Sequence, residues 1–154
     1  APTLENTPYD SGTEYEEGYH SYVVDTADDD DAWSVRSGWD TGAYTKIGRI
    51  VHFGGGLELS TTGGKTDGGQ VRISLPFTCA SLDDVAEAVT GSCHLYNITG
   101  LSSAYNVVVQ TVSGAAYMII KYTDGSGGDT ILDTSDFTQT AAWEMRFQIS
   151  YVAA

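Results

Sequence analysis

The sequence predicts an all-β fold, an antiparallel β-sandwich of jelly-roll-like type, and three observations point to it. The 154 residues are rich in Gly, Tyr, Thr, Val and Ser, with 18 glycines and ten tyrosines, and Lys and Glu are scarce. That composition suits pleated, half-buried surfaces better than helices. Short runs of alternating apolar and polar residues recur along the chain, separated by Gly-, Asp- and Ser-rich punctuation. No strand–helix–strand alternation of the kind that builds parallel sheets is present.

The length fits one domain with a core of its own. Acidity divides it unevenly. Residues 1–31 carry ten Asp and Glu and no Lys or Arg, and Asp28, Asp29, Asp30 and Asp31 are consecutive. Adjacent carboxylates repel one another and resist regular structure. Residues 1–32 therefore read as an acidic N-terminal arm with one strand at YHSYVV, and residues 33–154 as the sandwich domain.

Within that domain AYTKI and RIVHF read as strands around Gly48. The second runs through Gly54, Gly55 and Gly56 into LELS, where three glycines imply a bulge, a bend or a close backbone approach. TTGGKTDGG is a turn by composition. QVRISLPF places Val71, Ile73 and Leu75 on one face and Arg72 and Ser74 on the other, and Pro76 ends it. LDDVAEAV is the one helix-like segment, with Ser81 as its N-cap. CHLYNI, YNVVVQTV and AAYMIIKYT are strands, the last two joined in a hairpin through Ser113 and Gly114. DGSGGD is a turn and TILDTSDF a short strand. WEMRFQISYVAA closes the pattern, with Trp143, Met145, Phe147, Ile149 and Tyr151 on one face.

The net charge of −14 excludes classes of function. Nucleic acid and anionic membranes both need a basic face. No apolar run reaches the ~18 residues of a membrane span, and no basic-then-apolar leader opens the sequence, so a protein exported by the standard route is not expected. His20, His52 and His94 are scattered, without metal-ligand spacing. No nucleophile elbow, phosphate loop or Cys–His pairing is present, and no enzymatic activity is expected. No cofactor is implied. For the oxygen-rich loops holding Asp28, Asp30, Asp124 and Asp129 the preferred reading is solvated acidic turns. Ca²⁺ is the alternative, although neither loop has EF-hand spacing. Cys79 and Cys93 are compatible with a disulfide or with two free thiols. Trp33, Trp39 and Tyr44 lie near the acidic run, and an aromatic platform beside carboxylates suits a sugar or a protein interface.

Gly42-Ala-Tyr44-Thr45-Lys46-Ile47-Gly48-Arg49, followed by Leu75-Pro76-Phe77 and by Tyr151 near the C-terminus, resembles a domain recurrent in virion proteins. It is similar to the jelly-roll-type domain of bacteriophage fibre and decoration proteins and of some large DNA viruses. Pro2 and Thr3 fit the remnant of that domain's opening segment. The resemblance implies a non-catalytic structural or adhesive protein, often a homotrimer, at the virion surface. The expected partners are a second and third copy, a major capsid protein or other virion protein, and a host-surface glycan. Lys46, Arg49 and Arg72 are then expected to pair with the surplus carboxylates across strands or subunits. With no shaft or repeat in these residues, a head decoration, cement or short capsid-fibre subunit is the first expectation. A glycan-binding tip of a tail fibre is the second, and a free-standing trimeric lectin-like module the third.

Overall fold

The computed structural model describes residues 15–27, 33–60, 69–83, 88–96, 101, 106–136 and 142–154. These residues form ten strands: β1 (Tyr15–Ser21), β2 (Val24–Thr26), β3 (Thr41–Ile47), β4 (Ile50–Glu58), β5 (Val71–Ser74), β6 (Thr90–Tyr96), β7 (Asn106–Thr111), β8 (Tyr117–Thr123), β9 (Asp129–Ile131) and β10 (Glu144–Val152). Every pairing between them is antiparallel. The single helical element among the described residues is a 3-10 turn at Thr134–Asp136. The helix expected at LDDVAEAV and the turn TTGGKTDGG lie largely outside the described residues.

The strand order is β1-β3-β4-β10-β6-β7-β8-β5-β2, with β9 added to β8. This one sheet curls over so that its two flanks share a core. Val51, Phe53, Leu57, Met145, Phe147, Ile149 and Tyr151 come from one flank, and Val24, Val71, Ile73, Val109, Met118 and Ile120 from the other. The alternation read from the last strand holds, since Trp143, Met145, Phe147, Ile149 and Tyr151 are all buried. Each such side chain contributes roughly 1.5–3 kcal/mol by leaving water.

Two corners make the curl. In β6, Thr90–Ser92 pair with β7 while Ser92–Tyr96 pair with β10. The second corner is Tyr22–Val23, between β1 and β2. Here β1 sits at one end of the strand order and β2 at the other. The Tyr22 N–H donates to the Asp40 carbonyl (2.9 Å), and the Val23 carbonyl accepts from the Ser74 N–H (2.9 Å). The segment thus joins both ends of the sheet and closes it, which removes much of the edge that an open sheet would expose.

This corrects the domain boundary. Tyr15–Thr26 was expected within a separate arm, yet Tyr22, Val24 and Thr26 are buried. No residue of β1 itself is buried: Tyr15 and Tyr19 are exposed, Glu16 accepts from the Tyr44 hydroxyl at 2.7 Å, and the core is served by Tyr22 and by β2. The strand read at YHSYVV is present, divided between the end of β1 and the start of β2 around the Tyr22–Val23 corner.

The glycines of β4 make no bulge. Gly54, Gly55 and Gly56 hold unbroken register with Gln148, Phe147 and Arg146. The reason for them is close approach. A Cβ on Gly42 or on Gly55 would each lie 2.4 Å from the Tyr22 hydroxyl, which is wedged between β3 and β4. Gly48 turns β3 into β4 at φ 58°, a conformation that side-chain-bearing residues rarely adopt.

Candidate functional site

Three separated segments, Tyr44–Arg49, Leu75–Phe77 and Tyr151, converge on Phe77. The Tyr44 ring meets Phe77 edge-on, with centroids 5.1 Å apart. The Lys46 ammonium lies 4.8 Å from the centre of the same ring. The Tyr151 hydroxyl donates to the Phe77 carbonyl at 2.9 Å and accepts from its N–H at 3.2 Å. Arg49 Nε donates to the Ala153 carbonyl (2.9 Å). This cluster ties the β3–β4 turn to the strand that ends the sheet. The contacts that Lys46 and Arg49 make here are to a ring and to a backbone carbonyl, where cross-strand carboxylates were expected. Arg72 is on the opposite flank, its guanidinium 4.6 Å from the Tyr117 ring centre and opposite Asp25 in the register.

The other expected site residues separate. Trp33 is a core residue, 6% exposed, so it is withdrawn as a ligand-facing aromatic. Its neighbourhood in sequence is acidic, but its N–H bonds the Val24 carbonyl and its ring turns inward. Cys79 and Cys93 are free thiols, which excludes the disulfide alternative. Cys79 is bridged to Ala153 and Cys93 is opposite Phe147. Six residues of β10 part those two positions, roughly 20 Å of strand, whereas a disulfide needs Cα atoms within about 7 Å. Burial pushes the Cys93 thiol up to about 12.

Asp124 Oδ1 accepts hydrogen bonds from the N–H groups of Ser126 and Gly128 and from the Ser126 hydroxyl. These bonds hold its carboxyl below the usual range. Asp129 pairs with Lys121 at 2.5 Å. Both carboxylates are engaged in fixing their own turn, and no group of three metal-ligating side chains occurs among the described residues. Asp28 and Asp30 lie outside the described residues.

Trp39 stands on the outer face of the sheet. Its N–H donates to the Arg36 carbonyl at 2.9 Å, closing a turn with Gly38 at φ 85°. Gly at the third position of such a turn is the signature of type II. Arg36 anchors the turn, donating to both carboxylate oxygens of Glu58 at 2.7 and 2.9 Å. The Trp39 ring covers Gly56, where a Cβ would lie 3.3 Å from it. The Arg146 guanidinium lies 5.7 Å from the Trp39 ring centre.

The register extends this surface across five strands. Tyr19, Ala43, Gly54, Gln148 and Ser92 form one outward row from β1 to β6. Gly56, Arg146 and His94 form the next, with Thr41 lining the same depression as Gly56 and Arg146. Small side chains at Ala43, Gly54 and Ser92 leave the middle of the face low. Five shallow depressions of about 300 to 500 Å³ tile it, and neighbouring ones share lining residues. The largest is lined by Trp39, Thr41, Gly55, Gly56 and Arg146, with Gly38 and Phe147. Crossing five strands, the trough spans roughly 19 Å. Its polar groups include His52, whose Nδ1 lies 2.7 Å from Ser150 Oγ.

Of the residues lining these depressions, sequence reasoning selected Trp39 and Tyr44, and the Tyr44 ring turns to Phe77. Tyr19, Arg146, Gln148 and His94 carry no motif. The alternation of β10 held the signal for two of them, because the positions between its buried residues must point outward. No protein-family model matches this chain, and no curated protein does.

Proposed function

We propose that this chain is a non-catalytic structural protein of a virion surface, a head decoration, cement or short capsid-fibre subunit that assembles as a homotrimer on a capsid protein. The observation that carries this reading is the convergence on Phe77. The residues that resemble the virion domain are far apart in sequence, yet they form one contact cluster. Similarity arising by chance in a β-rich chain has no reason to select residues that touch. The closed sheet supports it as well, since a protein exposed on a particle benefits from having little free strand edge.

The test is immunogold electron microscopy on purified particles of the virus encoding the chain. Label spread over the head supports this reading. Intact, permeable particles without label overturn it. Light scattering on the free protein tests the trimer separately.

The second reading, a glycan-binding tip of a tail fibre, is favoured by the outer face with Trp39 and Arg146. Label confined to the tail end supports that reading instead.

A further inference from the structure

The outer face of β1-β3-β4-β10-β6 combines features that a purely structural surface does not need. Tyr19 is 83% exposed and Tyr96 58% exposed. Trp39 is half-buried, fixed by a glycine turn at one wall of the largest depression. Exposed rings on a polar sheet offer flat apolar surfaces with polar groups beside them, the pairing that suits the C–H face and hydroxyl rim of a sugar. Strand spacing puts Tyr19 roughly 10 Å from Gly54 across β3, so the trough is longer than one sugar ring.

Charge narrows the ligand. In a chain of net charge −14, Arg146 is exposed at the centre of this face and lines three of its depressions. His94 is its register partner on β6. A guanidinium in this position is the group that recognises a carboxylate through two parallel hydrogen bonds. The overall negative charge opposes a densely charged polyanion. Glu144 shares one depression with Arg146 and His94, whereas the depression on the Trp39 side has no carboxylate among the described residues. There a ligand carboxylate meets the cation directly, and more distant charges are screened.

We infer that this trough binds an extended oligosaccharide carrying a carboxylate, with the acid on Arg146 and sugar faces on Trp39 and Tyr19. The inference deepens the glycan-binding reading and rests on it.

The experiment is a glycan microarray bearing uronate- and sialate-containing oligosaccharides, their carboxyl-reduced counterparts and neutral oligosaccharides. It is probed with the full chain and with Trp39→Ala, Arg146→Ala and Arg146→Lys, all checked for an unchanged circular dichroism spectrum. The expected result is retention of acidic glycans, loss of the reduced counterparts, and affinity weakened about ten-fold or more by Arg146→Ala. Arg146→Lys should recover part of that loss. Retention of neutral glycans only, abolished by Trp39→Ala, overturns the carboxylate assignment and leaves the tip reading standing. Binding indifferent to all three variants overturns the site. No glycan retained overturns both, and an altered oligomeric state in Trp39→Ala or Arg146→Ala then identifies the face as a subunit contact.

Discussion

The Tyr151 hydroxyl engages both backbone groups of Phe77, accepting from its N–H and donating to its carbonyl. One phenol thereby does for Phe77 what a neighbouring strand would do, across 74 positions of sequence. Tyr151→Phe keeps the buried ring but leaves a part-buried N–H and carbonyl without this partner. A loss of about 1–3 kcal/mol is expected, measured by urea denaturation with an unchanged m-value.

Lys46 acts through the Phe77 ring. Lys46→Ala should cost about 0.5–1 kcal/mol, the size of an exposed cation–π contact. In a Phe77→Leu background the same change should cost almost nothing, because the two residues share one interaction. If Lys46 instead meets a carboxylate of a second subunit, its removal should weaken the oligomer in a salt-dependent way. Denaturation and light scattering at two ionic strengths separate these outcomes.

Tyr22 is a buried residue whose hydroxyl has no hydrogen-bond partner among the described residues, and it lies where a Cβ on Gly55 would sit. Tyr22→Phe should therefore be neutral or stabilise by up to about 1 kcal/mol. Gly55→Ala should destabilise the wild-type background by about 1–3 kcal/mol through overpacking. With Phe at position 22 part of that cost should vanish, and a double-mutant cycle of thermal melts reads the coupling directly.

His20 sits against Phe53 and Ser74, with Nε2 2.8 Å from Ser74 Oγ. Burial lowers its pKa below the ordinary value, and the Ser74 contact opposes this in part. The unfolded chain therefore binds the proton more readily than the folded one. Stability contributed by neutral His20 is fully present above about pH 6.5 and declines as pH falls through that value toward the lowered one. Melting temperature should fall between pH 7.5 and 5.5, and His20→Gln should flatten that slope.

The thiols give a fifth check on the fold. Cys79 is fully buried, and the Cys93 thiol is held protonated by burial. Neither should react with a thiol-specific disulfide reagent at pH 8 in the native protein, since the thiolate is the reactive form. Both should react in denaturant without prior reduction.

Architecture was legible where a single strand announces itself. The period-two pattern of Trp143 to Tyr151 needed no tertiary knowledge, and neither did Val71, Ile73 and Leu75. Partnerships were not legible. Nothing local says that Tyr22 should lie over Gly42 and Gly55, so a bulge, a bend and a close approach all stayed open for the β4 glycines. The pattern of YHSYVV marked a strand within the acidic stretch, but not that it would turn at Tyr22–Val23 and close the sheet. Trp33 and Trp39 look alike in sequence. They differ by a glycine turn and an Arg36–Glu58 anchor, in which one guanidinium nitrogen donates to both carboxylate oxygens, and these send one ring inward and the other out. Arg146 was invisible as a site because its meaning depends on His94 and Trp39, from two other parts of the chain.

The position of β10 shapes how the protein is made. Of the strands described here, β10 is the last to be synthesised, and it lies between β4 and β6, near the middle of the strand order. Before residue 144 is made, the sheet is two parts, β1-β3-β4 and β6-β7-β8-β5-β2, joined through the Tyr22–Val23 corner, each with an apolar face and an unpaired edge. High contact order of this kind slows folding, because distant segments must meet before any of them is rewarded. Synthesis therefore precedes the decisive pairing, and the acidic surface helps keep the waiting chains apart.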